Sequence, residues 1–445
     1  MRASLPAKVE AEGQRQLEQA REVHALPSVT AAVFAAGVPV WQARLGRSGT
    51  QYRIGSITKT VTAVAVMQLR DEGAVQLDQP IGAYLPDAPY ADHLLRNLLA
   101  HCSGMTAEPS GPWWERSPGS SWDQLVAANR DPVDVFGPGE RYHYSNLGYA
   151  LLGELVSRRR GTGWYDAVRT HVLDPLGLAS TTYAPLEGAA QGTSRDPRDG
   201  RLMPEPSHDS GAMAPAGQLW STLSDLSRWG DFLVTGDERV LSRASLVEMA
   251  TVRSADPLNQ HLGGYGLGLR LRWRAASTLV GHTGSMPGFL AGMFTDPVPR
   301  VGAVVCTNAT TGLDTEGLAT HLIDVAEPAL SPQADVADAQ AHPPPGVSEL
   351  AGNWYWGNTE EPLTPTATGF LLGKPGEERA FVADGTDRFR GQDGYFAGER
   401  LQVVRRADGS ISHLEVVTFV LTKVPYDSSA PIPGGPPTEP LSLSE

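Results

Sequence analysis

Apolar and polar residues along the first 328 positions follow both strand-like and helix-like spacings. Residues 29–34 and 38–45 are strand-like runs on either side of Gly37, which predicts two strands. Residues 58–69 and 146–156 repeat apolar side chains at helical spacing, which predicts two helices. Further strands are predicted at 265–273, 278–280, 290–295 and 301–307. Strands at both ends of a helical middle predict a mixed α/β domain with an inserted helical part, over residues 1–328.

The pattern changes after residue 328. Residues 329–346 are dominated by alanine, proline and polar side chains, and we interpret them as an interdomain linker. From 347 to 426, short β-rich runs separated by turns predict a small antiparallel barrel. Its predicted strands are 353–356, 369–372, 379–383, 401–405 and, after a hairpin turn, 414–424. Residues 427–445 are predicted to be a disordered tail.

The charge balance narrows the choice of partners. The 445 residues include 36 basic and 50 acidic side chains, a formal net charge of −14. Such an acidic surface argues against nucleic acid and anionic membranes as partners. The sequence has no apolar run of 18 residues and no basic segment followed by an apolar one at its start. We therefore expect a cytoplasmic protein without a membrane span.

Cysteine and histidine usage gives no sign of a metal or cofactor. Cys102 and Cys306 are far apart, and the eleven histidines are scattered without ligand spacing. We predict neither a metal nor a cofactor. The pair His101-Cys102 could indicate a thiol nucleophile, but a structural turn is the preferred interpretation.

Lysine is rare in this chain, which makes the position of each lysine informative. Four lysines stand against 32 arginines, and Lys59 is the only one between residues 9 and 373. It follows Ser56 by three positions at the start of a predicted helix, so both side chains share one face. A lysine with a depressed pKa can take the proton of a serine hydroxyl, whereas arginine cannot. The alternative is an ordinary surface lysine.

A second candidate motif is Tyr144-Ser145-Asn146, at the start of another predicted helix. A phenol near an ammonium group ionises more readily and can carry a proton to a leaving group. Asn146 has a donor and an acceptor that suit it to hold a lysine or a substrate amide. The alternative is that Ser145 or Asn146 is simply a helix N-cap.

A third candidate motif, His282-Thr283-Gly284-Ser285, follows a predicted strand. Gly284 would let a substrate approach the strand edge closely. The backbone amides of Ser56 and Ser285 could then form an oxyanion hole. The alternative is a turn at the end of the strand.

Together the three motifs resemble the serine β-lactamase and penicillin-binding-protein superfamily. The resemblance covers about residues 25–328 and favours the branch of class C β-lactamases, D-alanyl-D-alanine carboxypeptidases, D-aminopeptidases and family VIII esterases. Further matching segments lie at 52–56, 98–104, 138–139, 174–177 and 221–226. The resemblance implies a β-lactamase-like α/β fold: an antiparallel sheet flanked by helices, plus an all-helical part. It likewise implies that the C-terminal β-rich region is a lipocalin-like barrel.

The resemblance also implies a role for each matched residue. Ser56 would be the acylated nucleophile, Lys59 its base and Tyr144 the proton shuttle. Asn146 would hold the side-chain network or the substrate, and His282 would line the opposite strand edge. The aromatic pair Trp113 and Trp114 lies where such enzymes line their cleft, although plain packing explains it equally well.

One departure bears on the substrate. The third motif begins with His282, whereas β-lactamases usually have lysine, and a neutral imidazole cannot pair with a substrate carboxylate. We therefore predict a serine hydrolase that cleaves an amide, peptide or ester bond of a small-molecule or peptide substrate. The histidine argues against efficient β-lactam hydrolysis without excluding it, and leaves weak β-lactamase activity as an option. One alternative is a peptide cyclase, in which an amine replaces water. Another is a non-catalytic binding protein of the same fold. The sequence leaves the oligomeric state open.

Overall fold

The computed structural model describes residues 5–274, 277–330 and 343–425. Its α-helices are α1 Ala7–Val23, α2 Thr58–Asp71, α3 Leu95–Leu99, α4 Trp122–Ala128, α5 Asn146–Arg160, α6 Trp164–Val168, α7 Ala214–Gly217, α8 Leu223–Thr235, α9 Arg243–Met249 and α10 Thr315–Leu330. The strands of the first part of the chain are β1 Ser28–Ala35, β2 Val38–Gly46, β3 Tyr52–Arg53, β4 Thr193–Arg195, β5 Leu202–Pro204, β6 Trp220–Ser221, β7 Gly263–Tyr265, β8 Arg270–Trp273, β9 Thr278–Met286, β10 Phe289–Asp296 and β11 Val301–Thr307. Those of the last part are β12 Gly352–Trp356, β13 Thr359–Pro365, β14 Gly369–Leu372, β15 Arg379–Ala383, β16 Arg388–Gly391, β17 Arg400–Arg405, β18 Ile411–Val416 and β19 Phe419–Leu421.

A seven-stranded antiparallel sheet forms the centre of the first unit, which extends to Pro332. Its strand order is β2-β1-β11-β10-β9-β8-β7, so the N-terminal hairpin joins strands from the far end of the unit. Strand β1 is buried on both faces: Ala31 and Val33 belong to one apolar cluster, and Ala32 and Phe34 to another. Helices α1 and α10 cover the first face, and α8 contacts β1, β10 and β11 on the other.

The all-helical part brings α2, α5 and α7 together beside the sheet. Helix α2 is buried almost all round, from Thr58 to Leu69, because α5 and α7 contact it and the sheet lies nearby. Gly153 of α5 allows this close approach, since a Cβ there would lie 2.0 Å from Pro215 Cγ. A charged side chain on α2 is therefore held away from water.

The last unit is an antiparallel barrel of eight strands. The order runs from β12 to β19 without crossover, and Tyr355 and Thr422 exchange backbone hydrogen bonds of 2.8 and 3.0 Å that join the two ends. Its core contains packed aromatic rings: Phe370 stacks on Phe381 with ring centres 5.3 Å apart and meets Phe389 edge to face at 4.8 Å. The predicted α/β domain followed by a small all-β barrel is confirmed. Its likeness to lipocalins in particular stays a prediction.

Several predicted elements differ in extent. Helix α5 continues to Arg160, through the arginines expected to follow it, and ends where Gly161 adopts a φ of +66°. The single strand predicted at 265–273 is two strands, β7 and β8, because the chain turns at Gly268 with a φ of +83°. Strand β9 runs on to Met286, so the third motif lies within a strand.

Within the barrel, one predicted strand is wrong and two strands were not predicted. The strand predicted at 414–424 is interrupted at Val417, whose φ is +57°, and becomes β18 and β19. Strands β13 and β16 were not predicted. Most of the linker predicted at 329–346 and all of the tail predicted at 427–445 lie outside the described residues.

Candidate active site

Ser56 lies in a short 3₁₀ turn, Gly55–Ile57, that leads directly into α2. The turn is tight, with a φ of +50° at Gly55, and it abuts strand β9. A Cβ at Gly55 would meet the Ser285 amide nitrogen at 2.6 Å, so glycine is needed both for the φ angle and for the close approach. This geometry leaves the Ser56 side chain partly exposed at the helix N-terminus.

Lys59, one turn further along α2, is fully buried and points back at Ser56. Its Nζ donates to Ser56 Oγ at 2.9 Å and to the Ala216 carbonyl oxygen at 2.7 Å. Burial of the ammonium lowers the pKa of Lys59 to about 7, although the nearby carboxylates of Glu108 and Glu115 act in the opposite direction. A substantial fraction of the lysine is therefore neutral near pH 7 and able to accept a proton.

Tyr144 stands beside both residues. Lys59 Nζ lies 4.9 Å from the centre of the Tyr144 ring. Burial raises the pKa of Tyr144 well above its usual value, even though a hydrogen bond with Ser56 favours ionisation. The expectation that this phenol ionises readily is therefore wrong, because desolvation outweighs the hydrogen bond with Ser56. Tyr144 is a neutral phenol that can donate a proton.

The two residues after Tyr144 have different roles, so each interpretation of the second motif applies to one of them. Ser145 is the N-cap of α5: its Oγ accepts from the Gly148 amide at 3.1 Å and donates to the Thr106 carbonyl at 2.7 Å. Asn146 instead donates from Nδ2 to Glu108 Oε1 at 2.6 Å. Its amide therefore holds a carboxylate, whereas the sequence suggested a lysine or a substrate amide.

His282 is buried in β9 and neutral. Its Nδ1 donates to the Thr283 carbonyl, which fixes the proton on Nδ1, and its Nε2 accepts from the Tyr265 hydroxyl at 2.9 Å. Burial lowers the pKa of His282 to about 3, and the charges of Lys59 and Arg270 act in the same direction. Because both ring nitrogens already form hydrogen bonds, His282 is better suited to supporting the structure than to carrying a proton.

The middle of β9 faces the turn that carries Ser56. Strand β8 pairs with residues 278–281 of β9, and beyond that point Gly284 lies against the turn. A Cβ at Gly284 would lie 1.9 Å from the Ile54 carbonyl oxygen and 3.2 Å from the Ser56 amide nitrogen. The amides of Ser56 and Ser285 thus both lie where the turn and β9 approach each other closely.

A cleft of about 560 Å³ opens over these groups. Its lining includes all three motifs, from Ser56, Tyr144 and Asn146 to the segment from His282 to Ser285. Four charged side chains also border it, namely Glu115, Arg270, Asp314 and Glu316.

The two predicted tryptophans do not line this cleft. Trp114 is buried and donates from Nε1 to Glu108 Oε2 at 2.8 Å. Trp113 is 60% exposed and donates to Glu115 Oε2 at 3.0 Å. Both rings thus contact the site through carboxylates, and neither forms its wall.

Sequence reasoning missed several residues of the site. Glu108, Tyr265 and His101 contact Asn146, His282 and Ser145 from positions 38, 17 and 44 residues away in the chain. Glu115, only two positions from Trp113, binds that tryptophan. The spacing of Lys59 from Ser56 is visible because one helix carries both. A contact between chain segments leaves no such periodic signal.

Clusters suited to a metal ion and helices able to span a membrane are both absent from the described residues. Among residues 5–274, 277–330 and 343–425, histidine, cysteine and acidic side chains form no group of three or more suited to a metal ion. Within the same ranges, every helix is too short or too polar to cross a bilayer.

Comparison with known proteins gives two family matches. A model described as Beta-lactamase matches residues 14–327, and one described as Domain of unknown function (DUF7586) matches residues 343–423. The chain is 26% identical over 381 residues to Putative beta-lactamase-like 1 of Homo sapiens, which covers 77% of this chain and 73% of that protein.

Two solved structures extend the comparison. A D-stereospecific amidohydrolase from Streptomyces sp. superposes with a TM-score of 0.62 at 27% identity, covering 69% of this chain and 97% of that one. An octameric penicillin-binding protein homologue from Pyrococcus abyssi superposes with a TM-score of 0.64 at 22% identity, covering 93% and 99%. The latter similarity establishes the fold alone. The first family match spans well over half of the chain, and the resemblance predicted from the ordered motifs is thereby confirmed: the chain belongs to the β-lactamase family.

Proposed function

We propose that the protein is a serine amidohydrolase that forms an acyl-enzyme on Ser56 and releases it to water. The observation that carries this proposal is the 2.9 Å contact between Lys59 Nζ and Ser56 Oγ, made by a lysine whose pKa burial lowers to about 7. A neutral amine at this distance meets the geometric requirement for a general base. The only lysine in a span of more than 360 residues is then explained by its chemistry.

Acylation begins with proton transfer. The lone pair of neutral Lys59 takes the Ser56 proton while Oγ attacks the carbonyl carbon of the substrate. The carbonyl oxygen becomes an oxyanion between the amides of Ser56 and Ser285. Tyr144 donates its proton to the leaving nitrogen as the C–N bond breaks, and the Lys59 ammonium returns a proton to the phenol. The high pKa of Tyr144 fits this role, because the phenol is always protonated when it is needed.

Deacylation uses the same groups in reverse. Water attacks the ester carbon and passes a proton through Tyr144 to Lys59, and the tetrahedral intermediate expels Ser56 Oγ, which regains a proton. Lys59 ends the cycle as a neutral amine. Ser56 thus loses a proton in acylation, when the leaving nitrogen gains one, and regains a proton from water in deacylation.

The charges at the cleft support a substrate with a free amino group. Three carboxylates, those of Glu115, Asp314 and Glu316, line the cleft against one guanidinium, and Arg270 Nε is paired with Glu316 at 2.7 Å. An ammonium group would be attracted to such a lining. The similarity to a D-stereospecific amidohydrolase supports amide substrates and makes the D series the first to test.

A neutral His282 argues against efficient β-lactam hydrolysis. With a pKa of about 3, its imidazole supplies no positive charge for the substrate carboxylate at neutral pH. Esters need less assistance to their leaving group than amides do. We therefore expect slow ester hydrolysis in addition to amide hydrolysis.

The test is turnover of D- and L-amino acid p-nitroanilides, a p-nitrophenyl ester and a chromogenic cephalosporin by the wild type and by Ser56→Ala. We expect hydrolysis of an amino acid anilide that is lost in Ser56→Ala. A fluorophosphonate should label the peptide that contains Ser56, as read by mass spectrometry. Turnover that persists in Ser56→Ala would disprove the proposal. Transfer of the acyl group to an added amine in preference to water would favour the cyclase alternative.

A further inference from the structure

His101 holds the chain on both sides of Tyr144. Its carbonyl oxygen accepts from the His143 amide at 2.7 Å, and its ring Nδ1 accepts from the Ser145 amide at 3.1 Å. His143 and Ser145, which flank Tyr144, are therefore both hydrogen-bonded to His101, the first to its backbone and the second to its side chain. A two-point attachment of this kind fixes the direction in which the intervening side chain projects.

The His101 ring also supports Tyr144 directly. The two ring centres are 4.0 Å apart with an interplanar angle of 34°, and the His101 ring lies 4.7 Å from that of Tyr265, which binds His282. His101 is fully buried in this aromatic cluster. It thus contacts two residues that line the cleft, Tyr144 and Tyr265.

The backbone of His101 is strained in a way that serves this contact. Its φ of +52° lies in the left-handed region, which a residue with a side chain rarely occupies. In this conformation the carbonyl oxygen and Nδ1 both bond to the segment from His143 to Ser145. Strain of this kind persists where the surrounding contacts determine it.

The ring must be neutral for the attachment to exist. Because the Ser145 amide donates to Nδ1, the ring proton resides on Nε2. Burial and the positive charge of Lys59 lower the pKa of His101 well below its usual value, which keeps Nδ1 free to accept. Nε2 finds no hydrogen-bond partner within the described residues.

We infer that His101 is a positioning residue, which fixes the Tyr144 hydroxyl where it can exchange protons with Ser56 and Lys59. The inference rests on the proposed function, since it assigns a role in that proton transfer. It also gives a function to His101, which the sequence suggested was part of a structural turn in preference to a thiol nucleophile.

Two substitutions separate the hydrogen bond with the Ser145 amide from the ring contact with Tyr144. His101→Phe keeps a ring against Tyr144 but removes the acceptor for the Ser145 amide. His101→Asn keeps an acceptor near the position of Nδ1 and tolerates a positive φ, but removes the ring. We expect His101→Phe to lower kcat for the anilide about 10- to 100-fold with KM nearly unchanged, because the substrate contacts remain while the proton donor shifts. We expect His101→Asn to recover most of that loss.

A double-mutant cycle with Tyr144→Phe distinguishes positioning from general damage. If His101 acts through the Tyr144 hydroxyl, His101→Phe should change kcat less than about twofold in the Tyr144→Phe background. His93→Asn is the matched control, since His93 is also buried, contacts the Tyr90 carbonyl at 3.2 Å and lines a different cavity. It should leave kcat unchanged.

A spectroscopic measurement keeps the inference independent of turnover. With tyrosine labelled at Cζ, the ¹³C resonance of Tyr144, assigned by its loss in Tyr144→Phe, should shift in His101→Phe and stay near the wild-type position in His93→Asn. An unmoved resonance together with wild-type kcat in His101→Phe would overturn the inference, as would full additivity in the cycle. A shifted resonance in a protein without Ser56-dependent turnover would retain the positioning and reject the proposed function.

Discussion

The side-chain amide of Asn146 donates to Glu108 Oε1 at 2.6 Å, while Trp114 donates to the other oxygen of the same carboxylate at 2.8 Å. These two hydrogen bonds fix the Glu108 side chain, whose charge raises the pKa of Lys59 against the effect of burial. The Lys59 pKa of about 7 thus reflects two opposing effects: desolvation lowers it and the neighbouring carboxylates raise it. Asn146 contributes to this balance by holding Glu108 in place.

Glu108→Gln should move the acid limb of the pH profile to lower pH. Removing the negative charge destabilises the Lys59 ammonium, so the pKa of Lys59 falls further below about 7 and the neutral base persists in more acidic solution. The amide oxygen of glutamine can still accept from Asn146, while the bond from Trp114 to the second carboxylate oxygen is lost. The measurement is kcat/KM against pH from 5 to 9 for both proteins.

The matched control is Glu72→Gln. Glu72 is paired with Arg160 on the surface, at 2.8 Å, so its loss should leave the acid limb where it is. An acid limb that moves upward in Glu108→Gln, or equally in both variants, would contradict the assignment of this limb to Lys59.

His282→Gln should lower the rate without moving the acid limb. The pKa of His282 is about 3, so the imidazole does not change its charge between pH 5 and 9, whereas its bond to the Tyr265 hydroxyl at 2.9 Å supports the cleft. Glutamine can still accept from Tyr265, so we expect a loss of roughly tenfold or less in kcat/KM. Loss of a limb near pH 6 in the variant would show that His282 titrates in the working range.

A structural feature can be predicted from the sequence when a single helix or strand carries all the residues that define it. Ser56 and Lys59 are recognisable because α2 sets their spacing, and burial of that helix follows from its apolar positions. Strand β11 is predicted to the residue, because its apolar run is buried on both faces of the sheet. These features depend on local periodicity.

Contacts between distant segments give no such pattern. Glu108 precedes Asn146 by 38 residues in an irregular loop, and only the folded chain brings them together. Strand β13, Thr359–Pro365, has no alternation of apolar residues and contains two prolines, so it forms through pairing with its neighbours rather than through its own propensity.

Gly284→Ala should strongly reduce activity by displacing β9 from the Ser56 turn. The added Cβ would lie 1.9 Å from the Ile54 carbonyl oxygen, so strand and turn must separate, and the amides of Ser56 and Ser285 no longer face one oxyanion. We expect a loss of about 100-fold or more in kcat, as for removal of an oxyanion donor. Gly163→Ala is the control, because nothing lies within 4 Å of its Cβ position and it should retain the wild-type rate.

Lys59→Met should change how the stability of the catalytic unit depends on pH. Burial lowers the pKa of Lys59 from 10.5 to about 7, so between these values the unfolded chain binds a proton that the folded chain lacks. The contribution of Lys59 to stability therefore rises with pH from about 7 to 10.5, and below pH 7 the folded protein bears the full cost of a buried ammonium.

The measurement is the difference in urea midpoint between wild type and Lys59→Met at pH 6, 8 and 9.5. Groups common to both proteins cancel in this difference, including the tyrosines whose pKa burial raises. We expect the wild type to gain stability relative to Lys59→Met as the pH rises, with little change below pH 6. A constant difference across this range would mean that the lysine keeps its ordinary pKa in the folded protein, and Lys59 could not then serve as the base for Ser56 near neutral pH.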